Sequence, residues 1–387
     1  MPGYEDDGDV RPYHGKASRV TTRMPWWNPR YWARKVWIAI VVVLIIVIVI
    51  AVAVGVTVSK NNAYPAYKEL SYTLQDTCNQ FNYFNTYDPA NGFVHYVSEA
   101  DAKQHVSLAK HLQPTPNQLS LPPILNLVQN LTYATANTAV IKVDTTVGPG
   151  STPDASTGRF SVRIESKKTY NKGLFLFDVK HSPYACAAWP ALWLTDPAHW
   201  PDRGEIDILE AVNAGDAGNL MSLHSAKGCS MGGKRKMTGK ALDKSCYVKD
   251  NNNAGCGVRD GAKASFGQAW NEKQGGVMAV EWRDDGIRMW QFARDSIPAD
   301  VTGKNPTPDA WGTAAADFPS THCDVGARFS NHSIVANIDL CGDLVEASWK
   351  EAGCGGGSNC TNFVATNPSA FTNAYWEFGA FEVYQAS

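Results

Sequence analysis

Val277 to Phe292 reads VMAVEWRDDGIRMWQF. Two runs rich in β-branched and aromatic side chains, Val277 to Trp282 and Ile287 to Phe292, flank Arg283-Asp284-Asp285-Gly286, and Asp-Gly is the favoured pair for a two-residue hairpin turn. The stretch predicts an antiparallel hairpin. The same texture recurs at Ala139 to Asp144 (AVIKVD), Ser161 to Ser166 (SVRIES), Gly173 to Lys180 (GLFLFDVK) and Ser333 to Leu340 (SIVANIDL). None of these runs continues into a long amphipathic helical repeat. Short strands separated by loop-rich segments such as Asn251 to Gly261 and Cys341 to Cys360 predict an all-β sandwich or jelly roll over residues 70–387, with both sheets sharing one core.

Upstream of the strands lies a different kind of sequence. Val36 to Val58 is VWIAIVVVLIIVIVIAVAVGVTV, 23 residues without a charge, and at about 1.5 Å per residue it spans a hydrocarbon core of about 30 Å. Seven basic side chains precede it (Arg11, Lys16, Arg19, Arg23, Arg30, Arg34, Lys35), against Lys60 and Lys68 just behind. The positive-inside rule then predicts a cytoplasmic tail (1–35), a signal anchor (36–58), a linker (59–69) and an exterior domain (70–387), a single-pass type II arrangement. Trp26, Trp27, Tyr31, Trp32 and Trp37 supply an interfacial belt on the cytoplasmic side. Outside the membrane, the sequons at Asn130, Asn331 and Asn359 become glycosylation sites. All nine cysteines follow the span, as expected of oxidised thiols, and the odd number leaves at least one unpaired within the chain. Eight cysteines allow 105 connectivities, so the pairing stays open.

With 35 basic against 37 acidic residues and a net charge of -2, the chain lacks the positive balance of a protein that grips phosphates, and nucleic acid is excluded as a partner. Its 44% hydrophobic and 19% charged content excludes disorder. Chemistry concentrates instead at Gly204-Glu205-Ile206-Asp207-Ile208-Leu209-Glu210-Ala211. In a regular strand residues 205, 207 and 209 share a face. One extra residue in a β-bulge shifts the phase, so that Glu205, Asp207 and Glu210 point one way while Ile206 and Ile208 point the other. Carboxylates crowded on one face repel, which raises a pKa and lets one carboxyl hold a proton near neutral pH. Retaining glycoside hydrolysis needs that arrangement: a nucleophile and an acid/base, with Asp207 between them to orient the nucleophile. A solvated acidic strand or a cation site is the competing reading. Trp189, Trp193 and Trp200 lie just upstream, as core rings or as platforms for sugar faces.

The stretch WPALWLTDPAHWPDRGEIDILEAVN resembles the active-site region of glycoside hydrolase family 16, in its fungal laminarinase-like endo-1,3(4)-β-glucanase form with a bulged E-x-D-x-x-E. NGFVHYV, SVRIESKKTY, LHSAKGC, GCGV, CDVG, LCGD and NPSAFTNAYW extend the likeness over residues 70–387. The resemblance implies a concanavalin-like β-jelly-roll with a concave glucan-binding cleft, and retaining cleavage of β-1,3 or mixed β-1,3/1,4 glucan. It assigns Glu205 as nucleophile, Asp207 as its helper and Glu210 as acid/base. Arg163, Trp189, Trp193, Trp200 and His224 become substrate-binding residues. The family's pattern has Trp directly after LCGD where this chain has Leu344, which implies a weaker sugar subsite. Cys78 falls outside the segments that carry the family's cysteines and is the expected free thiol.

Other motifs fail on context. Gly228-Cys229-Ser230-Met231-Gly232 matches an esterase elbow, yet a loop-like Gly233-Lys234-Arg235-Lys236 follows it where a helix is required. No histidines show H-E-x-x-H spacing, so neither a catalytic metal nor a cofactor is expected. The reading is therefore a monomeric β-glucan hydrolase, with a wall-remodelling glucan transglycosylase and a non-catalytic β-glucan receptor as the alternatives.

Overall fold

A computed structural model describes Pro29 and residues 32–61, 67–69, 80–104, 130–149, 155–262 and 264–386. The expectations for Trp26, Trp27, Tyr31 and Cys78, and for most of the tail and linker, lie outside the described residues. The chain divides into two units, Met1–Ala63 and Tyr64–Ser387.

The first unit contains helix α1 (Arg34–Asn61), which starts two residues before the predicted span and ends three after it. Its segment Arg34–Ala53 has a mean hydropathy of 3.6 and none of it is buried against protein. That helix is long and apolar enough to cross a membrane.

Two antiparallel sheets build the second unit. The first has the order β16 (Ala316–Pro319), β15 (Gly286–Ala293), β14 (Gly276–Arg283), β8 (Gly173–His181), β18 (Tyr375–Ala386), β5 (Ala139–Lys142), β4 (Thr132–Ala134), with β1 (Tyr67–Glu69) also pairing with β18. The second runs β12 (Lys240–Ala241), β13 (Val258–Arg259), β11 (Leu220–His224), β10 (Glu205–Glu210), β9 (Ala188–Thr195), β17 (His332–Leu340), β7 (Arg163–Tyr170), β2 (Phe81–Tyr83). A short parallel pair, β3 (Val94–Tyr96) with β6 (Arg159–Ser161), lies beside them. The architecture is the expected β-jelly-roll.

The hairpin forms as predicted with its turn one residue earlier: Arg283 pairs with Gly286, so the connection is Asp284-Asp285 and Gly286 opens β15. SVRIES divides at Val162, between β6 and β7. Strand β9 was not legible as a strand, because Pro190 sits inside it. Its pairing with β10 ends at Ala191, so Pro190 meets only β17 and owes no ladder bond on its other side.

Alternation explains the core. Phe175, Phe177 and Val179 of β8 face Leu192, Leu194, Ile206, Ile208, Ile334, Ala336 and Ile338 of the second sheet, all fully buried. Each large apolar side chain so buried stabilises by about 1.5–3 kcal/mol, and Phe177→Ala would cost roughly 3–5 kcal/mol. Four disulfides staple the long loops: Cys186–Cys354, Cys229–Cys323, Cys246–Cys256 and Cys341–Cys360. They use every cysteine except Cys78.

Candidate active site

β10 begins behind Gly204, whose φ of +72° and contact with Phe329 leave no room for a side chain: a Cβ there would lie 2.4 Å from the ring. Asp207 pairs with Trp193 of β9, and the next partner of β9 is Leu209 with Leu192, so Ile208 is the extra residue of a bulge. The opposite edge shifts too, between Asp207 and Glu210 against β11. Ile206, Ile208 and Leu209 are all buried in the core. Glu205, Asp207 and Glu210 consequently share the outer, concave face of the second sheet.

Each carboxyl has its own donor. Trp200 gives its indole N–H to Glu205 Oε2 at 2.6 Å, and Trp189 gives its own to Glu210 Oε1 at 2.8 Å. Ser222, opposite Asp207 on β11, donates its hydroxyl to Asp207 Oδ2 at 2.8 Å, and His224 Nε2 lies 3.3 Å from that same oxygen. Burial first, and the neighbouring Asp207 charge second, push Glu205 up to about 8 and Glu210 up to about 7. Burial opposes a charge on His224, but the Asp207 hydrogen bond and the charges of Glu205 and Asp207 outweigh it and push the imidazole up to about 10. Burial and mutual repulsion raise both glutamates, so the pair holds one proton between them near neutrality, beside a cationic imidazole.

The other expected binding residues also converge here. Trp193 donates to Asn337 Oδ1 at 2.9 Å, and the Arg163 guanidinium lies 5.0 Å from the Trp193 ring centre and 4.4 Å from that of Phe84. Arg163 is tied to Glu165 through Nη2 at 2.7 Å and Nε at 2.9 Å. Trp189 and Trp193 are partly exposed and Trp200 is 43% exposed, so none of the three rings is fully buried, although Trp189 packs against the core. Leu344 is partly exposed in the short helix Gly342–Ser348, whose first glycine packs against Trp189.

Sequence reasoning missed four supporting residues. Asn337 accepts from Trp193 and donates to the Tyr96 hydroxyl at 3.0 Å; its signal was the polar alternation of Asn337 and Asp339 within SIVANIDL. Asn219 accepts from the Glu210 backbone N–H at 3.0 Å and donates to Ile208 O at 3.0 Å, which stitches the bulge closed. Ser222 had no distinguishing sequence signal. Asn253 Oδ1 accepts from His224 Nδ1 at 2.9 Å. It ends a run of three asparagines, Asn251 to Asn253, all at φ of +50° to +61°, and the Cys246–Cys256 disulfide closes the loop that bears them. Gly255 in that loop lies so close that a Cβ would come within 2.7 Å of His224 Nε2.

Ligand atoms of Glu205, Asp207 and His224 lie within 4.8 Å of one another. A metal binding there would have to displace the proton that the neighbouring carboxyls favour on His224. Cys341, Glu346 and Cys360 also cluster, but both sulfurs belong to a disulfide. Of the sequons, Asn359 is exposed at a helix start, Asn331 gives its amide N–H to Asp196 at 3.0 Å, and Asn130 is partly buried.

A two-sheet sandwich with a bulged, three-carboxyl strand facing a tryptophan-lined cleft defines a glycoside hydrolase. Residues 126–384 match the family described as the XgeA-like, catalytic GH16 domain, and the chain belongs to that family. It is 37% identical over 332 residues to a probable glycosidase of Schizosaccharomyces pombe, covering 83% of this chain and 71% of the relative. It is 35% identical to an endo-1,3(4)-beta-glucanase of Emericella nidulans, covering 81% of this chain and 46% of that protein, so the chain spans about half of that relative's length. Among solved structures, laminarinase 16A of Phanerochaete chrysosporium, bound to two β-glucans in donor and acceptor sites, superposes with a TM-score of 0.70 at 36% identity over 83% of this chain and 99% of its own. An elongating GH family 16 beta-1,3-glucosyltransferase does so at 0.69 and 33% identity, over 83% and 100%.

Proposed function

We propose that the domain cleaves β-1,3 or mixed β-1,3/1,4 glucan internally, with retention, through a covalent glycosyl-enzyme intermediate. The observation that carries this is the pair of glutamates on one bulged strand, each held by its own indole N–H, with Asp207 between them. Glu205 attacks the anomeric carbon and the glycosidic bond breaks as Glu210 protonates the departing oxygen. Glu210, now ionised, takes a proton from water, and the oxygen of that water displaces Glu205 and leaves the product β. Asp207, hydrogen-bonded to Ser222 and His224, fixes the local charge around the nucleophile. Trp189, Trp193, Trp200 and Arg163 supply stacking and donors for the sugar chain.

Transfer to another sugar instead of water uses the same intermediate, and similarity to both a laminarinase and a glucosyltransferase leaves that reading standing beside hydrolysis. A receptor has no use for three mutually repelling carboxyls, which disfavours binding alone. The apolar helix α1 and the basic residues before it support a type II topology with the cleft on the exterior side. The test is incubation of the full-length chain in detergent with laminarin, lichenan and chitin, followed by product sizing and NMR of the first-formed anomer. Short β-anomeric oligomers from the first two, with chitin untouched, are expected. An inverted product, or full activity in Glu205→Gln, overturns the assignment.

A further inference from the structure

The first sheet turns Phe175, Phe177 and Val179 inward, so Asp178 and Lys180 on β8 face outward, away from the catalytic cleft on the other sheet. On β18, Trp376 and Phe378 are core, and Tyr375 and Glu377 face out. A register irregularity between Glu377 and Phe378 sets Glu377 directly opposite His181. Tyr133 of β4 pairs with Val140 of β5, and Val140 pairs with Glu377. Tyr133, Val140, Glu377 and His181 therefore form one row across four strands, about 14 Å long at the usual strand spacing, in which Val140 is itself buried.

The ends of the row are aromatic. Tyr133 is 44% exposed, and the His181 ring stacks on Tyr375 with centres 3.6 Å apart. Burial pushes His181 down to about 4, against the hydrogen bond that its Nδ1 donates to Tyr375 O, so the ring is neutral at physiological pH. Beside this row opens a cavity of about 530 Å³ lined by Asp178, Lys180, His181, Asn271, Gln274, Arg294 and Glu377. Asp178 is paired with Arg294 at 2.6 Å. The side chains of Lys180, Gln274 and Glu377 make no hydrogen bond or ion pair among the described residues. Two carboxylates balance two cations, so the cavity selects neither an anion nor a cation. Planar carboxylate and amide groups beside one exposed ring and a half-buried ring stack are chemistry that suits a neutral polyol, with hydroxyls on the former and a sugar face on the latter.

We propose that this outward face, along Tyr133, Glu377 and the His181–Tyr375 stack, is a second, non-catalytic binding site for a neutral β-glucan chain. The glucan identity rests on the function proposed above. For a polymeric substrate, such a site raises the effective concentration of chain near the cleft without contributing to chemistry. The test compares Tyr133→Ala and Glu377→Ala with the unaltered protein, all as full-length chain in detergent. Binding to insoluble β-1,3-glucan particles is measured in a Glu205→Gln background, and turnover of a short soluble β-1,3-oligosaccharide in the active background. Particle affinity should fall about tenfold, with soluble turnover within about twofold. Unchanged particle affinity in both variants overturns the site. If Glu377→Ala loses soluble turnover through misfolding, the exposed Tyr133→Ala decides. Failure of the unaltered protein to cleave any β-glucan would refute the catalytic reading instead, a distinct outcome.

Discussion

Asn253 Oδ1 lies 2.9 Å from His224 Nδ1, while the other nitrogen of the same ring lies 3.3 Å from Asp207. The imidazole is thus held at both ends, by an amide on one side and a carboxylate beside the nucleophile on the other. Three left-handed asparagines set the amide in place, each in a conformation that costs energy and that Asn tolerates better than most residues.

Asn253→Ala should lower kcat about tenfold, since a hydrogen bond to a charged group is worth roughly 1.5–3 kcal/mol, with KM nearly unchanged. Without that acceptor His224 loses its proton more readily, which should add a further loss of activity at the alkaline end of the pH–rate profile, above the limb set by Glu210. Asn253→Asp, which keeps an acceptor, should reverse that loss. A flat response of both kcat and the profile in Asn253→Ala would remove Asn253 from the positioning network.

The raised carboxyls predict a gain in stability when function is lost. Glu205 rises from 4.5 to about 8 and Glu210 from 4.5 to about 7 on folding. Below pH 4.5 both states are protonated and the shift has no effect; as pH rises through the window to 8, the unfolded chain ionises first and stability falls. His224, raised from 6.5 to about 10, contributes stability that is full below 6.5 and lost as pH rises through 10. Glu205→Gln should therefore exceed the parent by on the order of 1–3 kcal/mol at pH 8, about 2–4 °C per kcal/mol, and match it near pH 4. Equal melting temperatures at pH 8 would show that Glu205 is ionised in the folded protein at ordinary cost.

Chemical rescue separates the two glutamates. On an activated aryl β-glycoside, Glu210→Ala with azide should give a β-glycosyl azide, because a good leaving group needs no proton and azide needs no base. Glu205→Ala should give the α-azide, since azide takes the nucleophile's place. Either unrescued variant should lose several orders of magnitude in rate, and Asp207→Asn less than Glu205→Ala. Azides of reversed configuration, read by NMR, would exchange the roles.

Glycan occupancy should differ between the sequons. Asn359 caps the helix Cys360–Thr366 through its Oδ1, which accepts from Asn362 N at 2.8 Å, and the residue is exposed. Asn331 uses both ends of its amide, accepting from Thr169 at 2.7 Å and donating to Asp196 at 3.0 Å. In protein expressed through a secretory route, Asn359→Gln should abolish a glycosidase-sensitive mobility shift. Asn331→Gln should leave the shift intact and cost about 1–2 kcal/mol in stability. The opposite pattern of shifts would place the glycan at Asn331.

Much of this protein was determined by local sequence. The uncharged run from Val36 to Val58 reads as one long apolar helix, and Val277 to Phe292 as a hairpin, because neighbouring side chains decide both. Gly204 to Ala211 was equally legible, since three acids in six residues share a face only if a strand is bulged, and Ile208 supplies that bulge. Tertiary structure alone decided what surrounds those acids. Ser222, Asn253 and Asn337 reach the cleft from β11, a disulfide-closed loop and β17, at separations no periodicity reports. Neither burial nor charge proximity exists until the sheets stack, so the proton carried by the glutamates and the charge of His224 are properties of the fold. The same reason hid the outward row of Tyr133, Glu377 and His181: three distant stretches of sequence, residues 132–142, 173–181 and 375–386, meet there only through sheet register.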